Sequence, residues 1–193
     1  MPDNFAIDKK NILHRKDKSR KGGVDSGIKD IVDIINKHPD YYTTSSCAGR
    51  IMLIELRGRD KKGAFWLYST HGKADYEDIK KALGTPHRFS VWLRQESMIL
   101  HIACRSFEHA ERLLSIAQKS GLKRAGIIST GRRFIVEIFN TERINALVAK
   151  NRKVLVSDEH IRALVGEANK KMAQNRIKIR KLQAELKNNL EFC

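Results

Sequence analysis

Between two hydrophobic runs, the stretch Tyr41-Tyr42-Thr43-Thr44-Ser45-Ser46-Cys47-Ala48-Gly49-Arg50 gathers hydroxyls, a thiol, a glycine and an arginine. A plain connection needs only a turn. Ser45, Ser46 and Cys47 end a strand, and Gly49 lets the backbone turn sharply with its amides outward, a shape suited to a carboxylate or phosphate oxygen. Arg50 can fork onto the same anion. A well-bonded surface turn would use the same residues, and the sequence leaves both readings open. Cys47 as a nucleophile needs a base such as His71 or His101 to lower its pKa, whereas a buried structural thiol is the commoner use. Trp66 and His71 flank a short segment, where an indole beside an imidazole could stack a purine-like base; a core tryptophan is the plain alternative. His101 alternates with apolar neighbours, so it shares a side with Ile99 and Ala103 and opposes Leu100 and Ile102, which also fits a histidine bonded inside a core.

Several chemistries are excluded by spacing. No two glycines stand two apart and no G-K-[ST] occurs, so neither a dinucleotide fingerprint nor a phosphate loop is present. The seven histidines and three cysteines form no H-E-x-x-H, H-x-H or C-x-x-C, and no metal is expected. Lysine plus arginine exceed aspartate plus glutamate by 38 − 22 = 16, a surplus that favours polyanionic partners, nucleic acid first. No apolar run approaches the about 20 residues that span a bilayer. A cytoplasmic protein, a monomer without a membrane partner, is the expectation.

The positioning elements follow from periodicity. Lys9, Lys10, Arg15, Lys16, Lys18, Arg20 and Lys21 oppose Asp17 alone before Gly22-Gly23, so residues 1–24 read as a basic arm ending in a flexible joint. Ile28, Ile31, Val32 and Ile35 mark a helix stopped by Asn36 to Pro39. Strands are expected over 41–46, 51–56 and 65–69, then a helix over 75–83 closed by Gly84 and Pro86. Strands over 88–94 and 98–104 flank the connection 95–97, and a helix over 107–119 meets Gly121. The order then repeats: 125–128, the turn Ser129-Thr130-Gly131-Arg132, and 134–139 echo strand, polar turn, strand, followed by a strand over 153–156. This predicts an α/β (α+β), non-Rossmann fold of two duplicated halves packed as one domain over 25–157, with a cleft where the two turns approach. The helix over 158–193 spaces Ile161, Leu164, Val165, Ala168, Met172, Ile179, Leu182 and Leu186 into an apolar stripe. Its other face is basic, through Lys170, Lys171, Arg176, Lys178, Arg180, Lys181 and Lys187.

Taken together, several segments carry a resemblance. They are Asp17-Lys18-Ser19-Arg20-Lys21-Gly22-Gly23-Val24-Asp25, Thr43 through Ile51, Trp66 with His71, Ile99 through Cys104, and Gly121 through Ile127. The chain resembles the tRNA wybutosine-synthesizing protein 3 family over residues 15–140, on the core T-x-S-S-C-[SA]-G-R-I. Alanine stands at Ala48 where serine is usual, so a hydroxyl there is not essential. The resemblance implies an S-adenosylmethionine-dependent methyltransferase acting on N-4 of 7-aminocarboxypropyl-demethylwyosine, the base just 3′ of the anticodon of phenylalanine tRNA. A noncatalytic tRNA-binding module and a cysteine-dependent enzyme are the alternatives.

The reaction needs an aligned nitrogen within ~3–3.5 Å of the methyl and a base for its proton. Asp25 is the first candidate base and His71 the second, although Asp25 also suits capping of the helix near Ile28. Ser45, Ser46, Cys47, Gly49 and Arg50 are candidates for holding the cofactor, with Trp66 and His101 lining a base or adenine pocket. Lys18, Arg20, Lys21 and Arg132 are candidates for tRNA phosphates.

Overall fold

A computed structural model describes residues 3–14, 23–57 and 63–190. The first element is a helix where the sequence suggests an arm. α1 (Asn4–Leu13) is N-capped by Asp3, whose Oδ1 accepts from the Phe5 and Ala6 amides at 3.1 Å each. Lys9 belongs to this helix, and its Nζ donates to the His38 carbonyl at 2.5 Å. α2 (Lys29–Lys37) buries Ile31, Val32, Ile34 and Ile35. It stops at His38, whose ψ of 132° is the extended conformation that Pro39 imposes on its predecessor.

The chain continues through β1 (Tyr41–Cys47), β2 (Arg50–Leu56) and β3 (Ala64–Thr70) to α3 (Tyr76–Leu83), capped by Asp75. β4 (Ser90–Glu96) and β5 (Ile99–Cys104) precede α4 (Phe107–Lys119), capped by Ser106. The rest is β6 (Gly126–Ser129), β7 (Phe134–Phe139), β8 (Ile144–Lys150), the short β9 (Lys153–Val154) and the 33-residue α5 (Asp158–Leu190).

The chain folds as two compact units interleaved in sequence. Unit 1 takes Met1–Ala48, Met98–Thr141 and Arg176–Cys193; unit 2 takes Gly49–Ser97 and Glu142–Asn175. Each owns one sheet, in the order β1-β5-β7-β6 for unit 1 and β3-β2-β4-β8-β9 for unit 2, with antiparallel neighbours throughout. In unit 1, Tyr41, Leu100, Ile102, Val136 and Ile138 of the sheet pack with Ile31 and Ile35 of α2, Leu113 and Ile116 of α4, and Ile179, Leu182 and Leu186 of α5. In unit 2, Ile51, Leu53, Val91, Leu93 and Val148 pack with Ile79 and Leu83 of α3 and with Ile161, Val165, Ala168 and Met172 of α5. Each fully buried Ile or Leu contributes about 1.5–3 kcal/mol of transfer free energy, so these two stripes dominate the stability.

The mixed α/β architecture with its long terminal helix agrees with the sequence. The proposed equivalence of the two polar turns does not. β6 and β7 form a hairpin within one sheet, whereas β1 and β2 lie in different sheets and their connection hands the chain from unit 1 to unit 2. The constant offset between Gly49-Arg50 and Gly131-Arg132 therefore marks no shared topology. β8 is a strand beyond those expected from the sequence, with Ile144, Ala146 and Val148 alternating within it.

Candidate active site

In unit 1 the end of β1 runs beside β5. Thr44 is the unpaired residue at a register shift, after which Ser45 stands opposite His101, Ser46 opposite Leu100 and Cys47 opposite Ile99. His101 in turn stands opposite Glu137 of β7. Leu100 and Ile102 point into the core, so Ser45, His101 and Glu137 form one cross-strand row on the face turned away from it. His101 Nε2 lies 2.9 Å from Glu137 Oε1, with both side chains about a third exposed or less (30% and 27%). His101 is thus a half-buried histidine held by a carboxylate rather than a core residue. Cys47 is half-buried.

Asp25 also serves this segment. Its Oδ2 accepts from the Ala48 amide at 3.1 Å, and α2 begins at Ile28 without any side-chain cap. The carboxylate therefore fixes the motif's backbone. Ala48 is 7% exposed and belongs to the core of unit 1, where a Cβ on Gly27 would meet its own Cβ at 3.3 Å. A small apolar side chain suits that place, which explains why alanine is accepted there.

In unit 2 the motif resumes with Gly49 at φ +91°, the left-handed region that glycine occupies without strain. A Cβ there would lie 2.6 Å from the Glu96 carbonyl oxygen, 2.9 Å from the Ser97 carbonyl carbon and 3.0 Å from Asn175 Nδ2. Glycine is required twice over, by conformation and by space. His71 Nδ1 donates to the Gly49 carbonyl at 2.7 Å. A carbonyl can only accept, so the neutral imidazole carries its proton on Nδ1 and its lone pair on Nε2. The Arg50 guanidinium sits 5.1 Å from the Trp66 ring centroid, within cation–π range. Trp66 is 39% exposed and outside the core, so it is not the core tryptophan that is the commoner case.

The family described as Methyltransferase TYW3 matches residues 7–188. The chain belongs to the methyltransferase TYW3 family. It is similar, at 35% identity over 95% of its length and 96% of the relative's, to the Pyrococcus abyssi protein named tRNA(Phe) 7-((3-amino-3-carboxypropyl)-4-demethylwyosine(37)-N(4))-methyltransferase 1. It is 34% identical to a tRNA wybutosine-synthesizing protein 3 homolog of Xenopus laevis, over 97% of this chain and 76% of that one. A solved structure of a Pyrococcus horikoshii protein superposes with a TM-score of 0.86 at 33% identity, covering 95% of this chain and 96% of that one. A hypothetical protein from Aeropyrum pernix gives a TM-score of 0.73 at 27% identity, over 86% and 99% of the two chains.

Membership in the TYW3 family makes the chain an enzyme, and the alternative of a noncatalytic binding module falls. Of the candidate phosphate contacts, Lys18, Arg20 and Lys21 lie outside the described residues. Arg132 is exposed and donates to Asp8 Oδ1 of α1 at 2.8 Å, so part of its charge is spent within the protein. On α5, Lys171 pairs with Glu142 and Lys178 donates to Asn140, while Lys170, Arg176, Arg180, Lys181 and Lys187 are exposed. No helix among the described residues is long and apolar enough to cross a membrane.

Two polar residues of this TYW3-family member escape single-sequence patterns. Glu137 comes to His101 only through the β5–β7 register, which no single-sequence pattern states. Gln95 is fully buried on the core-facing side of β4, between Ile51 and Ile144, and neither end of its amide has a hydrogen-bond partner among the described residues. Its position in the alternation with Val91 and Leu93 was the available signal.

Proposed function

We propose that this chain methylates N-4 of 7-(3-amino-3-carboxypropyl)-4-demethylwyosine, the modified base just 3′ of the anticodon of phenylalanine tRNA, with S-adenosylmethionine as donor. The reading rests on the family and on the relatives whose names state this reaction. The structural observation that carries it is His71, whose tautomer is fixed by Gly49 so that Nε2 presents a lone pair beside the signature motif. S-adenosylmethionine supplies an electrophilic methyl on a sulfonium. Each unit by itself carries residues whose chemistry suits part of such a group: in unit 2 the Trp66 face for an adenine and Arg50 for a carboxylate, and in unit 1 the Ser45 and Ser46 hydroxyls and the His101–Glu137 pair for polar contacts.

In this assignment His71 Nε2 accepts the proton that leaves N-4 as the N–CH3 bond forms. Asp25 holds the Ala48 amide and stands as the second proton acceptor, and Cys47 and Gly49 give the turn its shape. Arg132, with Lys18, Arg20 and Lys21, contributes positive charge toward the tRNA backbone.

The test is methyl transfer with purified protein, S-adenosylmethionine and phenylalanine tRNA carrying the demethylated base, read by nucleoside mass spectrometry. One added methyl on the tricyclic base is expected, and His71→Ala should lower the rate by roughly 10²–10⁴ with cofactor affinity retained. Unchanged nucleosides with wild-type protein would sink the assignment.

A further inference from the structure

The sheet of unit 2 has a second face that the methyl-transfer assignment does not use in full. Trp66 stands opposite Ile54, Ile54 opposite Trp92, and Trp92 opposite Leu147, so one row crosses four strands on one face. The next row is Ser69, Met52, Arg94 and Asn145. α3 and α5 pack on the opposite face, against Ile51, Leu53, Val91, Leu93 and Val148, so this row is turned away from them.

Trp66 reaches that face only because β3 carries an extra residue. Leu67 is skipped where the register shifts, between Leu53 opposite Tyr68 and Ile54 opposite Trp66. Without the bulge Trp66 would share a side with Tyr68 and point toward the core. Both indoles carry a guanidinium: Arg50 lies 5.1 Å from the Trp66 centroid and Arg94 5.7 Å from a Trp92 centroid. Arg94 is held in place by donating its Nε–H to Asn145 Oδ1 at 2.8 Å. Trp66, Ser69 and Asn145 are exposed, while Trp92 and Arg94 are half-buried.

We propose that this face, centred on Trp92 and Arg94, is a stacking platform for unpaired RNA bases, those of the anticodon loop. The proposal rests on the tRNA reading above and names the surface that receives the loop. An indole offers a π face that any base can stack on, and a neighbouring guanidinium meets the phosphate that follows the base or stacks in turn. A chain with a formal charge of +16 draws the polyanion to such a face, which an acidic peptide without bases would use only in part.

The two tryptophans of the platform are the only two in the chain, so intrinsic tryptophan emission reports on it directly. The experiment titrates the full-length protein with a synthetic anticodon stem-loop, following emission and, in parallel, the anisotropy of a labelled loop. The platform predicts quenching that saturates together with anisotropy. Trp92→Ala should weaken loop binding at least fivefold, as expected for the loss of about 1 kcal/mol or more of stacking, with Trp92→Phe restoring most of it. Arg94→Ala should reduce the slope of log affinity against log salt by roughly 0.7. Loop binding without any emission change, and unaltered in Trp92→Ala and Arg94→Ala at matched thermal stability, overturns the platform and leaves the methyltransferase reading intact. Quenching without methyl transfer keeps the platform and removes that reading. Absence of any loop binding removes both.

Discussion

On the face turned away from the core in unit 1, the cross-strand row is Ser45, His101 and Glu137; in unit 2 it is Trp66, Ile54, Trp92 and Leu147. Both sheets bury their opposite face under helices with almost the same aliphatic set. The difference is therefore not one of architecture. One sheet displays a hydroxyl and a hydrogen-bonded histidine–carboxylate pair, and the other displays flat rings with fixed cations. Two sheets can satisfy the same burial requirement and remain free to specialise on the residues that burial does not constrain.

The largest test of that division is at Gly49, the first residue of unit 2. Gly49→Ala adds left-handed strain and a 2.6 Å approach to a backbone oxygen that cannot rotate away. It should lower stability by at least about 2 kcal/mol in urea unfolding. A stability near wild type would mean that the turn relaxes and is not the fixed point of the motif. Next in size, Glu137→Gln should weaken S-adenosylmethionine binding about tenfold by calorimetry and leave stem-loop affinity unchanged. An equal loss of RNA affinity would break the contrast between the faces. Gln95→Leu removes a buried amide that has no hydrogen-bond partner among the described residues and should raise stability by about 1 kcal/mol. A fall in stability would show that the amide is satisfied in solution, for example by a buried water.

The smallest expected effects concern pH and thiol reactivity in unit 1. Burial holds His38 below its ordinary value of 6.5, opposed by Asp40 and reinforced by Arg112, His109 and Lys9. The folded state then binds fewer protons than the unfolded one below that value, so its stabilising contribution is complete above pH 6.5 and is lost as pH falls toward the lowered value. Asp3, held below 3.8 chiefly by the Ala6 amide and then by Arg105, acts in the same direction at lower pH. Hydrogen exchange during mild acidification should therefore show α1 and α2 amides losing protection before those of β2 and β4. Burial pushes the Cys104 thiol up to about 12, so mass-mapped alkylation at pH 8 should leave Cys104 unmodified until the protein unfolds, while Cys47 reacts.

Much of the fold was legible because its signals are local. The apolar spacing of Ile28, Ile31, Val32 and Ile35, the stop at Pro39 and the glycines Gly84 and Gly121 after α3 and α4 are written within a few residues of where they act. α1 was not legible, since it buries no residue to give an apolar period and its docking rests on long-range pairs such as Arg132 with Asp8. The motif was readable as a turn with polar ends, but which strands flank it in space depends on pairing across dozens of residues. The same applies to Glu137 beside His101, and to Trp92, whose meaning depends on a bulge in a different strand.

That bulge has a consequence for solubility. β3 lies at the border of its sheet, with one side of its backbone unpaired by any other strand of the sheet. A straight border strand offers the next molecule a ready ladder of amides and carbonyls. Skipping Leu67 throws the two halves of β3 out of phase, so a second chain could match one half only by mismatching the other. The residue that turns Trp66 outward thereby also protects an exposed aromatic strand from polymerising edge to edge.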